Sequence, residues 1–123
     1  DATWHLDPQR ITQAMVQLAA NAVRHTQPGG TIRIGSTVHR GSALFWITDD
    51  GPGIPHAEHG RIFQRFSRGG TPRGERGAGL GLAIVRAIAE THHGRVDLRS
   101  APGSGSTFTL VVPDTTPSGR EHV

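Results

Sequence analysis

Apolar residues recur along this chain with two different periods, and the change of period marks its elements. Ile11, Met15, Leu18 and Ala22 fall on one helical face, while Gln17, Asn21, Arg24 and His25 occupy the adjoining stripe. Asp7-Pro8 precedes them as an N-cap with proline at the first helical position, and Gln27-Pro28-Gly29-Gly30 ends the helix with turn residues. Thr31 to Gly35 alternates and Ala43 to Ile47 runs apolar, which predicts a hairpin across the Gly41 loop. Ala83 to Ala89 is apolar on one side and predicts a second helix closed by His92-His93-Gly94. Arg95 to Ser100 and Thr107 to Val112 alternate as strands across an Ala101 to Gly105 turn, and Thr3 to Leu6 reads as a short edge strand. Strands flanking helices in this order predict an α/β layer structure with helices on one sheet face.

Three glycine-bearing segments interrupt the pattern. Asp49-Asp50-Gly51-Pro52-Gly53-Ile54-Pro55 follows directly on a buried strand and delivers an acidic side chain into a turn. Glycine there lets a ligand approach the backbone, and proline stiffens the turn. An acid at such a place either meets solvent, as turn aspartates commonly do, or is satisfied by donors such as an exocyclic amine. Gly77-Ala78-Gly79-Leu80-Gly81-Leu82 leads into the second helix, where unpaired backbone N–H groups and the helix dipole suit phosphate. A dinucleotide fold is the rival for this segment, but its glycines are spaced differently and follow a strand. Gly103-Ser104-Gly105-Ser106-Thr107-Phe108 is the third segment.

Composition removes several classes. With 123 residues the chain suffices for one core, burying about two-thirds of its unfolded surface. Its net charge of +3 rests on arginine, because lysine is absent, and this excludes a Walker A loop and the eukaryotic-type protein kinase site. Aromatics at 5% without an interleaved stacking pattern argue against nucleic acid as the partner. Cysteine is absent, no apolar run approaches a membrane span, and no signal-peptide pattern opens the sequence, so the expected location is cytoplasmic, with any membrane anchor elsewhere in a longer protein. His56-Ala57-Glu58-His59 lacks a metal-site spacing and is expected to be a polar stretch facing solvent.

Taken in order, Asn21 to Thr26, the Asp49 turn and the two later glycine segments resemble the ATP-binding catalytic domain of sensor histidine kinases, within the superfamily that also holds gyrase, heat-shock chaperone ATPases and mismatch-repair ATPases. The resemblance spans roughly residues 2 to 113 and implies an α/β two-layer sandwich, a mixed five-stranded sheet against about three helices, with a glycine- and arginine-rich lid from His56 to Arg76. Residues 1–113 then form the ATP-binding domain and 114–123 a disordered tail. The resemblance implies Asn21 as the Mg2+ ligand, Arg24 three positions later on the phosphates, and Asp49 as acceptor for the adenine amino group. The carboxylate fits adenine and not guanine, whose carbonyl would set acceptor against acceptor at a cost of about 1 to 3 kcal/mol. Gly51, Gly53 and Ile54 supply close backbone approach and an apolar wall, Gly77, Gly79, Leu80, Gly81 and Leu82 the phosphate segment, and Thr107 assists Asp49. His25 is compatible with a place beside the nucleotide and equally with a structural role.

Ile62 to Arg68 resembles the family's phenylalanine box, with Phe63 and Phe66 as anchors and Arg68 as the catalytic cation facing the γ-phosphate; Arg61, Arg65, Arg73 and Arg76 receive no role. Gln17 stands where the kinases commonly have a second asparagine and hydrolysing relatives a glutamate base, and an amide cannot act as that base. None of the eight histidines sits in a phosphoacceptor context, so the acceptor is expected on a dimerisation domain in cis or in trans, with a response regulator downstream. An anti-sigma-type serine kinase and a non-catalytic nucleotide-sensing module are the alternatives.

Overall fold

The computed structural model describes residues 6–63 and 76–114. Helix α1 runs Pro8–His25, and Asp7 caps it as expected, its Oδ1 accepting from the N–H groups of Gln9 and Arg10. Strands β1 (Ile32–His39) and β2 (Ser42–Asp49) form the predicted hairpin. Its two turn residues, Arg40 and Gly41, both have positive φ, the geometry whose twist suits a two-residue hairpin. Two single 3₁₀ turns, His56–Glu58 and Arg61–Phe63, precede helix α2 at Arg76–Thr91. Strands β3 (Arg95–Ser100) and β4 (Ser106–Pro113) complete the sheet in the order β1-β2-β4-β3.

The sheet meets the expected two-layer α/β architecture in part. Among the described residues it has four strands, all pairing antiparallel, where a mixed five-stranded sheet was expected. Two hairpins meet through β2 and β4, so no parallel pair arises among them. The edge strand expected over Thr3 to Leu6 falls outside the described residues except for Leu6, which is not in a strand and packs against the core.

Both α-helices lie on one face of the sheet, and α1 packs on α2 and β2. Between the layers, Leu18, Val85, Ile47, Phe108, Leu110 and Val112 are fully buried, each contributing roughly 1.5 to 3 kcal/mol of transfer free energy. Alternation fixes which strand positions take part: Ile47 and Phe108 are register partners facing the helices, and residues two positions away share that side. Phe63 extends the core by meeting Phe108 edge-on, with ring centroids 5.9 Å apart. This bears out Phe63 as an anchor of the segment after the Asp49 turn; Phe66, Arg68 and most of the expected lid lie outside the described residues.

Candidate functional site

Asp49 is the last residue of β2 and shares the helix-facing side with Ile47. It is 4% exposed, its Oδ1 accepts the Gly51 N–H at 2.8 Å, and Oδ2 has no partner among the described residues. Its neighbour is spent differently: Asp50 is exposed and takes the Thr31 N–H at 3.0 Å, tying the start of β1 to the turn. Of the two consecutive acids only Asp49 is a buried residue, and its Oδ2 is left for another donor.

Close backbone approaches hold the turn after Asp49. A Cβ on Gly51 would strike the His25 carbonyl, and one on Gly53, where φ is +82°, would strike the Ala101 carbonyl. Of these two turn glycines only Gly53 uses the left-handed region. The Gly103 N–H donates to the Pro52 carbonyl at 2.7 Å, and the Ile54 N–H donates to Ser100 Oγ at 2.8 Å. The Ile54 side chain joins the hydrophobic core, and its carbonyl is 3.0 Å from His59 Nε2. His59 therefore serves the turn's backbone. The end of α1 and the β3–β4 turn thus clamp the acid's turn from two sides.

Thr107 does not stand beside Asp49. Strand alternation puts it on the outer face of the sheet, where its Oγ1 is 2.8 Å from that of its register partner Thr48. The residue opposite Asp49 on the same face is Ser106, 5% exposed. The sequence carries this signal: Ser106 is two residues from the core residue Phe108, so it shares that side, whereas Thr107 cannot. A cavity of about 460 Å3 lies at this end of the sheet, lined by Arg33, Thr48, Asp49, Asp50 and Ser104 among others.

Asn21 stands on the buried face of α1, beside Leu18 and Ala22, rather than on a polar flank. It is 2% exposed, and neither Oδ1 nor Nδ2 has a hydrogen-bond partner among the described residues. An orphaned buried amide costs roughly 1 to 3 kcal/mol, and a ligand accepting from Nδ2 and coordinated by Oδ1 would recover it. A single neutral oxygen suits Mg2+, which retains most of its waters and takes charge partners from phosphates. The residues present therefore fit this ion. One turn on, Arg24 is exposed and His25 half-buried.

The second glycine segment differs from its expected form. Helix α2 begins at Arg76, so Gly77, Gly79 and Gly81 are helical and do not form a loop leading into a helix at Ala83. Gly77 lies in the first turn, where N–H groups lack helical partners; Gly81 lies in the second, where the helix uses them. Gly81 instead lets α1 approach, since a Cβ there would strike Gln17 Oε1. Leu82 is a core residue. The Leu80 side chain and Arg68 lie outside what is described.

A buried carboxylate with a free oxygen and a buried amide with none of its bonds made, borne by a helix-on-sheet sandwich, mark a ligand-binding α/β domain. The description "Histidine kinase-, DNA gyrase B-, and HSP90-like ATPase" matches residues 6–116, and the chain belongs to this family. It is 38% identical over 112 residues to the circadian input-output histidine kinase CikA of Synechococcus elongatus, covering 89% of this chain and 15% of that protein. The mycobacterial sensor histidine kinase MprB superposes with a TM-score of 0.75 at 34% identity, over 90% of this chain and 76% of that one. Full-length ShkA in complex with AMPPNP gives a TM-score of 0.75 at 31% identity, over 89% of this chain and 22% of that one. The chain is thus an ATP-binding catalytic domain of the sensor histidine kinase type. It spans only a small part of full-length relatives such as CikA. No helix among the described residues is long and apolar enough to cross a membrane.

Proposed function

We propose that this domain binds Mg·ATP between Asp49 and Asn21 and transfers the γ-phosphoryl group to a histidine on a separate dimerisation domain, in cis or in trans. The observation that carries the reading is a pair of open polar groups: Oδ2 of Asp49, a residue 4% exposed, has a lone-pair edge for the adenine amino group, and both side-chain polar atoms of the buried Asn21 await partners. ShkA, a relative by structure, is described in complex with AMPPNP, which supports a nucleotide as the class of ligand.

In this reading Asp49 and the Gly51–Ile54 turn select and hold the base, Asn21 holds Mg2+, and Arg24 with the start of α2 holds the phosphates. Mg2+ bound at Asn21 supplies charge neutralisation for the triphosphate. Arg68 is assigned to the charge that develops on the transferred group, by resemblance of its segment to the phenylalanine box. The acceptor imidazole forms the N–P bond as the bond to the β–γ bridging oxygen breaks; ADP leaves, and the imidazole loses its N–H proton to solvent. The domain's own contribution is orientation and electrostatics, since Gln17 offers no base for attack by water. A response regulator aspartate is the onward acceptor, the setting is cytoplasmic, and residues 1–113 are the binding unit with 114–123 as a tail.

The test mixes the domain with histidine-bearing helical dimerisation domains and γ-labelled ATP. Acid-labile label on the acceptor, lost when its histidine is replaced, is the expected result. Acid-stable label would assign the domain to serine, and nucleotide binding without transfer to any acceptor would make it a sensing module.

A further inference from the structure

Ser100, at the end of β3, joins the two turns that frame Asp49. Its Oγ is 2.7 Å from the Gly105 carbonyl oxygen, 2.8 Å from the Ile54 nitrogen and 2.8 Å from Ser106 Oγ. These partners fix the proton positions. A carbonyl only accepts and a backbone N–H only donates, so the one Ser100 proton goes to Gly105 and the Ile54 N–H occupies one of its two lone pairs. The remaining lone pair can meet Ser106 only if Ser106 donates. Ser106 therefore directs its proton at Ser100, away from the carboxylate opposite, and keeps acceptor capacity on the Asp49 side.

The consequence concerns Asp49. Opposed residues on one face of an antiparallel pair have Cβ atoms about 5 Å apart, close enough for a serine hydroxyl to donate to an aspartate. A hydroxyl free to rotate would choose the carboxylate, because a hydrogen bond to an ionised acceptor is about twice as strong as one to a neutral acceptor. It would then occupy Oδ2, the one oxygen of Asp49 that the turn leaves unpartnered. With its proton held by Ser100, Ser106 instead extends an acceptor edge. Two neighbouring acceptors match an amino group, which carries two N–H donors.

We propose that Ser100 is a positioning residue for purine recognition, keeping the Ser106 proton off Asp49 so that Asp49 and Ser106 together accept from a 6-amino group. The proposal rests on the reading that adenine faces Asp49. A merely structural Ser100 would strengthen the clasp without affecting which base binds.

The experiment measures calorimetric Kd values for ATP and for purine riboside triphosphate, which lacks the 6-amino group, on the intact domain. Wild type should prefer ATP. Ser100→Ala should weaken ATP about tenfold, the loss of roughly one hydrogen bond, and leave the analogue nearly unchanged. Adding Ser106→Ala to Ser100→Ala should restore part of the ATP affinity by removing the competing hydroxyl, a sign opposite to additive damage. Ser100→Thr, which retains the hydroxyl, should behave as wild type. Equal weakening of both nucleotides by Ser100→Ala, or further loss in the double variant, overturns the proposal while the adenine reading stands. A wild type that does not distinguish the two nucleotides overturns the adenine reading and the proposal with it. If Ser100→Ala does not fold, Ser100→Cys, which fills the site with a weak donor and acceptor, enters the same comparison in its place.

Discussion

The N–H of Asp7 donates to Nε2 of His92 at 3.1 Å, so the residue that caps α1 is itself held by the end of α2. The other imidazole nitrogen, Nδ1, lies 2.9 Å from the Ile88 carbonyl oxygen. One nitrogen must accept and the other donate, which fixes a neutral ring protonated at Nδ1. Because α1 carries Asn21, this bond links the placement of the site helix to a residue 85 positions away in sequence.

His92→Ala should therefore destabilise the domain by about 1 to 3 kcal/mol, through two lost bonds and a cavity at a buried position. Hydrogen exchange should quicken in the first turn of α1 before it does in β2 or β4. Unchanged protection at the start of α1 would mean that the contact holds nothing.

Asn21→Leu is expected to separate stability from function. Removing an unsatisfied buried amide in favour of an apolar side chain of similar size should leave the melting temperature of the free domain unchanged or raise it by a few degrees, since about 1 kcal/mol shifts a domain of this size by ~4 °C or more. The extra stabilisation that Mg·ATP gives over metal-free ATP should vanish in the same variant. A variant that melts lower and keeps its magnesium response would show that the amide is structural.

Asp49→Asn should weaken ATP binding by about ten- to a hundredfold, because the amide cannot both keep the Gly51 N–H bond and present a second full acceptor to the base. Isothermal calorimetry and circular dichroism together check this, with an unaltered spectrum expected. Unchanged affinity would remove the acid from the base contact.

Gly105→Ala tests the clasp. Its φ of +71° disfavours any side chain, and a Cβ there would collide with the Asp49 carbonyl. The neighbouring atom is backbone and cannot swing aside, so a loss of about 2 kcal/mol or more is expected, together with loss of nucleotide binding. Gly81→Ala meets only the end of the Gln17 side chain, which can move, and helix propensity favours alanine by up to ~1 kcal/mol. It should be close to neutral in thermal melting, and a large loss there would show that Gln17 is rigidly held.

Much of the chain's behaviour was legible in its order of residues, for local reasons. Asp7-Pro8 starts a helix because capping and a fixed proline φ are properties of the dipeptide, and the Gly41 loop closes a hairpin because its twist is set within two residues. The apolar stripe of α1 and the run before Asp49 give the two layers through periodicity, and the acid and asparagine were found by type and position. Tertiary structure decided what depends on partners distant in sequence. Strand pairing set the sheet order and placed Ser106, rather than Thr107, opposite Asp49, since a shift of one residue exchanges the faces. Packing of α2 against α1 decided that Gly81 admits a neighbouring helix, and the layers folded around α1 left the Asn21 amide in the interior. The proton order around Ser100 likewise needs Ile54, Gly105 and Ser106 at hydrogen-bond distance of one oxygen. Backbone conformation and periodicity are written in neighbouring residues, whereas the satisfaction of a buried polar atom is a property of everything folded around it.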